Sequence, residues 1–348
     1  MYLKSFPLIF LIKFNIFLTI NPQNLYQSQY NEENAKYLHL LCYESYFQNS
    51  GKCIPQLVEY FASYHLYQNN FIICDNSRNK CGFYILVSVL HKKIIIVFAG
   101  TITNGQLFKQ MLSVFQKRIY YLKSGLVNKY YAISFEKLWP HVRKVFEERK
   151  YYNYKVYVTG HSLGSVYAAF TAFRIHQSGI RKSSDIFLYT FGQPRIGSYE
   201  FALNFDRRVP NSYRVVVGSD FVAHFPPCKK ANLAKSRFYK RIFRKRTSKI
   251  CDSADHNGYY HHGTEIWYPR GTDFEYIICN GYPKNEDFKC SDQLLFYASK
   301  IREHRDNHSV YFTRLVRKYI KMFLYTTDQN CKIIEHKNYR RNELSYLT

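Results

Sequence analysis

Ser162 stands between two glycines in "VYVTGHSLGS", directly after a run of β-branched and aromatic residues. A serine hydroxyl is a weak nucleophile alone. It needs a base to take its proton, a carboxylate to orient that base, and N–H donors for the oxyanion that forms on an attacked carbonyl. The spacing Gly160-His161-Ser162-Leu163-Gly164 satisfies G-x-S-x-G. That pattern suits a serine on a sharp turn from strand to helix, where a Cβ two residues to either side would strike the adjoining strand or helix. The chemistry it implies is acyl transfer through a covalent ester on Ser162.

In such a site the acid follows the serine and the histidine comes last. Asp220 directly follows "YRVVVGS" and fits the end of a later strand, whereas Asp252 and Asp255 fall in a charged loop. The base is open among several histidines. His224 is close to Asp220 in the chain, His256, His261 and His262 lie in "DHNGYYHHGTEIWY", and His304 and His308 lie in "EHRDNHSVYF". Chain order does not choose between them.

The elements that must position these groups are legible as an alternation. "KKIIIVFAGT", "YKVYVTG", "DIFLYTFG" and "SYRVVVGSD" are apolar runs suited to strands buried on both faces. Between them "KYYAISFEKLWPHVRKVFEERK" and "LGSVYAAFTAFRIHQSG" have helical spacing, the second ending in Gly179 as a C-terminal cap. Strand, helix, strand, helix, strand predicts an α/β fold, with a mostly parallel central sheet and helices on both faces. No internal repeat or low-complexity linker interrupts the 348 residues, which suit one catalytic domain over 30–315, with 1–22 as a signal peptide and 316–348 as a basic extension.

The first residues, "MYLKSFPLIFLIKFNIFLTI", carry Lys4 before an apolar run, as a secretory leader does, although Lys13 interrupts the run and no small-x-small cleavage site comes after it. The nine cysteines point the same way, since none form CxxC pairs with metal-ligand spacing. Cys74 with Cys81, Cys279 with Cys290, and Cys228 with Cys251 each enclose a polar loop that a disulfide could close; Cys42, Cys53 and Cys331 leave an odd thiol.

Fifty Lys and Arg against twenty-five Asp and Glu give a formal charge of +25. Ten of the basic residues fall between Lys229 and Lys249, interleaved with Phe238, Tyr239, Ile242 and Phe243. Such a segment cannot be core; it is a solvated surface, or one that lies on an anionic membrane or glycan. Nucleic acid is not expected, because no zinc-finger, RNP or helix-turn-helix pattern occurs.

From about Tyr37 to Phe312 the chain resembles the class 3, fungal-type lipases and their secreted invertebrate branch. "VFAGT" is similar to the family's F-R-G-T/S segment, "GHSLGS" to its serine elbow and "TFGQPRIGSYEFA" to its TFG-x-PR-x-G block. "SDFVAHFPP", "HHGTEIWYP" and "NHSVYF" resemble its D-x-V-x-x-(L/F)-PP, H-x-x-x-E-x-W/Y and H-x-x-Y-F segments. The resemblance implies an α/β-hydrolase fold with Ser162 as nucleophile, Asp220 as acid and His308 as base. It leaves His261 as a structural residue near Glu265. It also implies an oxyanion hole from the backbone N–H groups of Leu163 and Thr101, and a cover within Asn104–Tyr121 whose Leu107, Phe108, Met111, Leu112 and Phe115 recur at helical spacing.

In function, the resemblance implies a secreted ester hydrolase acting on lipid esters at a lipid–water interface, with no metal or cofactor. Ala99 stands where the family has arginine before Gly100, so whatever ion pair anchors that loop in relatives is missing or replaced. The sequon Asn307-His308-Ser309 encloses the expected base, so Asn307 is expected to be unmodified. Two rivals remain: a lipase-like protein that binds anionic surfaces with little turnover, and another serine hydrolase class such as a peptidase or acyltransferase.

Overall fold

The computed structural model describes residues 29–47, 51–76, 78–100, 117–231, 248–252, 254–279, 286–325 and 331. The leader at 1–22, Thr101, most of the expected cover and residues 232–247 of the basic segment lie outside the described residues.

Eight strands form one sheet in the order β1-β2-β3-β6-β7-β8-β9-β10: β1 (His65–Ile73), β2 (Lys80–Ser88), β3 (Lys93–Phe98), β6 (Lys155–His161), β7 (Ile186–Phe191), β8 (Ser212–Val217), β9 (Thr264–Tyr268) and β10 (Ile277–Cys279). A separate hairpin joins β4 (Ile119–Tyr120) to β5 (Leu126–Val127). From β3 to β9 the neighbours run parallel. Antiparallel strands finish both edges. The four strands read from the sequence are β3, β6, β7 and β8, and the sheet is the mostly parallel α/β-hydrolase sheet expected.

Side chains alternate between two cores. Ile94, Ile96 and Phe98 face one core together with Val156, Val158 and the helices α2 (Lys129–Val142) and α3 (Leu163–Gln177). Ile95 and Val97 face the other, covered by α1 (Glu32–Glu44) and by Val316 and Tyr319 of α6 (Thr313–Tyr325). Two further helices, α4 (Tyr199–Arg208) and α5 (Ile301–Asn307), lie after β7 and before α6 in the chain. Helix α3 ends as its sequence implied: Gly179 takes φ +68, and Ile180 N–H reaches back to Ile175 C=O at 3.0 Å. No helix among the described residues is long and apolar enough to cross a membrane.

Four disulfides staple this frame. Cys74–Cys81, Cys228–Cys251 and Cys279–Cys290 close the three loops read from the sequence. The fourth joins Cys53 to Cys331 across 278 residues, which leaves Cys42 as the free, buried thiol.

Candidate active site

Strand β6 hands over to α3 at Ser162, whose backbone is held at φ 55, ψ −127, a conformation that a non-glycine residue adopts only under constraint. The constraint comes from close packing of strand and helix. A Cβ on Gly160 would come within 2.6 Å of the Ser165 backbone nitrogen, and one on Gly164 within 2.8 Å of the Ala99 carbonyl. Backbone cannot yield as a side-chain tip can, so both glycines are required. Ser162 N–H donates to Phe191 C=O at 3.0 Å, fixing the turn to the end of β7. Leu163 opens the helix, so its N–H has no intrahelical acceptor and faces outward at the positive end of the helix dipole.

Asp220 lies just past the end of β8, where Gly218 takes φ +49 and Asp220 N–H closes back on Val217 C=O at 3.0 Å. The carboxylate is fully buried and receives three donors: Val222 N–H at 2.9 Å, the Tyr311 hydroxyl at 2.6 Å and His308 Nδ1–H at 2.9 Å. Burial alone would push its pKa up, but His308 and the two side-chain hydrogen bonds hold it below the usual carboxylate range.

His308 follows the last turn of α5. Since Nδ1–H points at the carboxylate, Nε2 carries the lone pair, and Nε2 is buried with no hydrogen-bond partner among the described residues. His161, next to Ser162, reaches the His308 carbonyl through Nε2 at 2.7 Å, with the two imidazoles 4.5 Å apart. The segments bearing the serine and the histidine are thereby held together. A carboxylate-oriented imidazole with a free nitrogen beside a strained serine can abstract a proton from that serine.

The other candidates are occupied elsewhere. His224 packs at a tilt against Phe296 and His262 against Phe205, while His304 Nδ1 pairs with the Ser219 hydroxyl at 2.8 Å. His261 is buried, with Nε2 2.6 Å from the Ala223 carbonyl and its backbone N–H donating to Glu286 at 2.9 Å, while Glu265 pairs with Arg214. Asp252 and Asp255 are half-buried in their loop, where Asp252 Oδ1 accepts from Ala254 N–H at 3.0 Å. Asn307 donates its amide to Ser219 Oγ at 3.0 Å, which uses the nitrogen a glycan would need.

Sequence reasoning gave no role to three residues of the quoted motifs. Tyr311, three residues after His308, donates to Asp220. Gly192, at φ +56, lies under the Asp220–His308 pair, where a Cβ would come within 2.7 Å of Asp220 Oδ2 and His308 Nδ1. Arg195 is buried, with Glu286 at 2.7 and 2.8 Å and the carbonyls of His224 and Pro226 at 2.6 and 3.2 Å, so it braces the loop that comes after Asp220.

Residues 95–230 match the family described as Lipase (class 3). Over 310 residues the chain is 36% identical to Lipase ZK262.3 of Caenorhabditis elegans, covering 88% of this chain and 85% of that protein. It is 28% identical to Secreted mono- and diacylglycerol lipase 1 of Fusarium solani, over 43% of this chain and 44% of that one. Among solved structures, the triacylglyceride lipase of Rhizomucor miehei superposes with a TM-score of 0.61 at 24% identity, over 82% of this chain and 96% of that one, a likeness of fold.

Proposed function

This chain belongs to the class 3 lipase family, enzymes of the serine ester hydrolase type, and from that premise we propose that it hydrolyses acylglycerol esters with Ser162, His308 and Asp220. The observation that carries the reading is the Asp220–His308 pair at 2.9 Å, with Nε2 left unpartnered and the His308 backbone held by His161, the residue before the strained Ser162.

His308 Nε2 takes the proton of Ser162 Oγ as that oxygen bonds to the ester carbonyl carbon. The tetrahedral oxyanion is met by the N–H groups of Leu163 and Thr101. Collapse breaks the bond to the alcohol oxygen, which leaves with the proton from His308, and the acyl group stays on Ser162. Water then attacks, gives its proton to His308 and releases the fatty acid, and the proton returns to Ser162. Asp220 keeps the imidazole in the tautomer that leaves Nε2 free and offsets the charge it gains.

The substrate is presented at a lipid–water interface, and the enzyme works outside the cell. A relative named as secreted and four disulfides support that location, since such bonds persist in oxidising compartments.

The test is titration of released fatty acid from emulsified triacylglycerol, with a short soluble ester and a peptide amide as comparisons. Both esters are expected to be cleaved, the amide spared, and Ser162→Ala inactive. Equal ester turnover by Ser162→Ala would refute the reading, and so would preference for the amide.

A further inference from the structure

The loop before the expected oxyanion residue ends in Phe98-Ala99-Gly100. The methyl of Ala99 is buried and can make neither an ion pair nor a hydrogen bond, so another group must fix this loop. We propose that Tyr46 is that positioning residue, linking the backbone at Gly100 through His161 to the backbone of His308.

The directions of the hydrogen bonds leave each group one role. The carbonyl of His308 can only accept, so His161 Nε2, 2.7 Å away, carries the proton. His161 Nδ1 is then an acceptor, and the Tyr46 hydroxyl, 3.0 Å away, must donate to it. The same oxygen lies against the Gly100 backbone. Gly100 packs against this link closely enough that a Cβ there would come within 3.0 Å of Tyr46 Cζ and 2.8 Å of the His161 carbonyl. One chain of hydrogen bonds therefore runs from the Tyr46 hydroxyl, packed against Gly100, to His161 and then to the His308 carbonyl.

The link is neutral, and that matters to the chemistry. Burial, then the neighbouring His308, pushes the His161 pKa down to about 3. Burial also raises that of Tyr46, which keeps its hydroxyl protonated. A charged His161, with its ring 4.5 Å from His308, would oppose the imidazolium that forms as Ser162 gives up its proton. The neutral ring holds the backbone without adding that charge.

The proposal rests on the reading of Ser162 and His308 given above, and the test separates the two. Tyr46→Phe keeps the ring and removes only the hydroxyl. The loss of one neutral hydrogen bond predicts a fall in kcat of about tenfold on a soluble ester, with KM within about twofold. A trifluoromethyl ketone, which becomes an oxyanion only after bonding to the serine, should bind about tenfold more weakly, in step with kcat.

His161→Gln, whose amide offers one acceptor and one donor, should retain more activity than His161→Leu. The double variant of Tyr46→Phe with His161→Leu should lose no more than the worse single, as members of one chain must. Unchanged kcat in Tyr46→Phe, or losses that multiply in the double variant, would overturn the link while Ser162→Ala remains inactive. An active Ser162→Ala would overturn the reading of the site itself.

Discussion

Asp220 and Glu44 are carboxyl groups buried about equally, yet the protein treats them in opposite ways. At the end of β8, donors from three different residues converge on Asp220 and hold it ionised below the usual range. At the end of α1, both oxygens of Glu44 share a single backbone N–H, that of Gly51, at 2.8 and 2.9 Å, and burial pushes its pKa up to about 8. Burial is the common penalty on charge, and convergent donors are what reverse it. A buried carboxylate kept charged beside a histidine marks the region arranged for chemistry, whereas a buried neutral carboxyl is a packing group.

The sharpest way to break this contrast is to remove one charge at a time. Asp220→Asn should lower kcat by about 10⁴-fold while leaving the fold intact, because the imidazole loses the partner that sets its tautomer. Steady-state turnover on a soluble ester reads this directly. Gly192→Ala leaves every charged group in place but drives a methyl between acid and base. Displacement of about 1 Å predicts a loss near 100-fold in kcat, checked alongside an unchanged far-ultraviolet circular dichroism spectrum.

Tyr311→Phe strips one of the three donors from Asp220 and should cost about three- to tenfold in kcat. It also bears on pH. The folded pKa of Asp220 is depressed, so its contribution to stability is present above the unfolded value and is lost as pH falls through the folded one. With a donor gone, acid unfolding should begin at a higher pH than in the wild type.

Glu44→Gln should leave turnover unchanged and move only stability. Here the sign is opposite: a folded pKa of about 8 exceeds the unfolded value near 4.3, so stability is full below the unfolded value and declines as pH rises toward the folded one. The variant should melt above the wild type by roughly 2–4 °C at pH 8, and together with it at pH 4. Thermal melts at the two pH values decide the point, and loss of activity in this variant would dissolve the comparison.

How much of this was readable in the sequence depends on how local each signal is. Strands β3 and β6 to β8 are buried on both faces, so their apolar runs were visible without partners. The elbow is equally local, since Gly160, Ser162 and Gly164 collide or fit within one turn. The histidine that meets Asp220 was not readable from the histidines alone, because 88 residues separate His308 from Asp220 and only the fold brings them together. Resemblance supplied what spacing could not.

Tyr311 and Gly192 stood in quoted motifs, yet their roles depend on which groups lie across them in space. The Cys53–Cys331 bond is the extreme case, since no feature near either cysteine in the chain specifies its partner. Glu44 shows the same limit: its position in α1 reads as ordinary, and only the enclosed Gly51 contact shows that it is neutral.

The most direct test of an assembled Ser162–His308–Asp220 site is covalent labelling with a fluorophosphonate, with the modified peptide mapped by mass spectrometry. The account predicts a single label on Ser162, lost in His308→Ala and strongly slowed in Asp220→Asn. No label on folded protein with its disulfides intact, or a label on another residue, would contradict it.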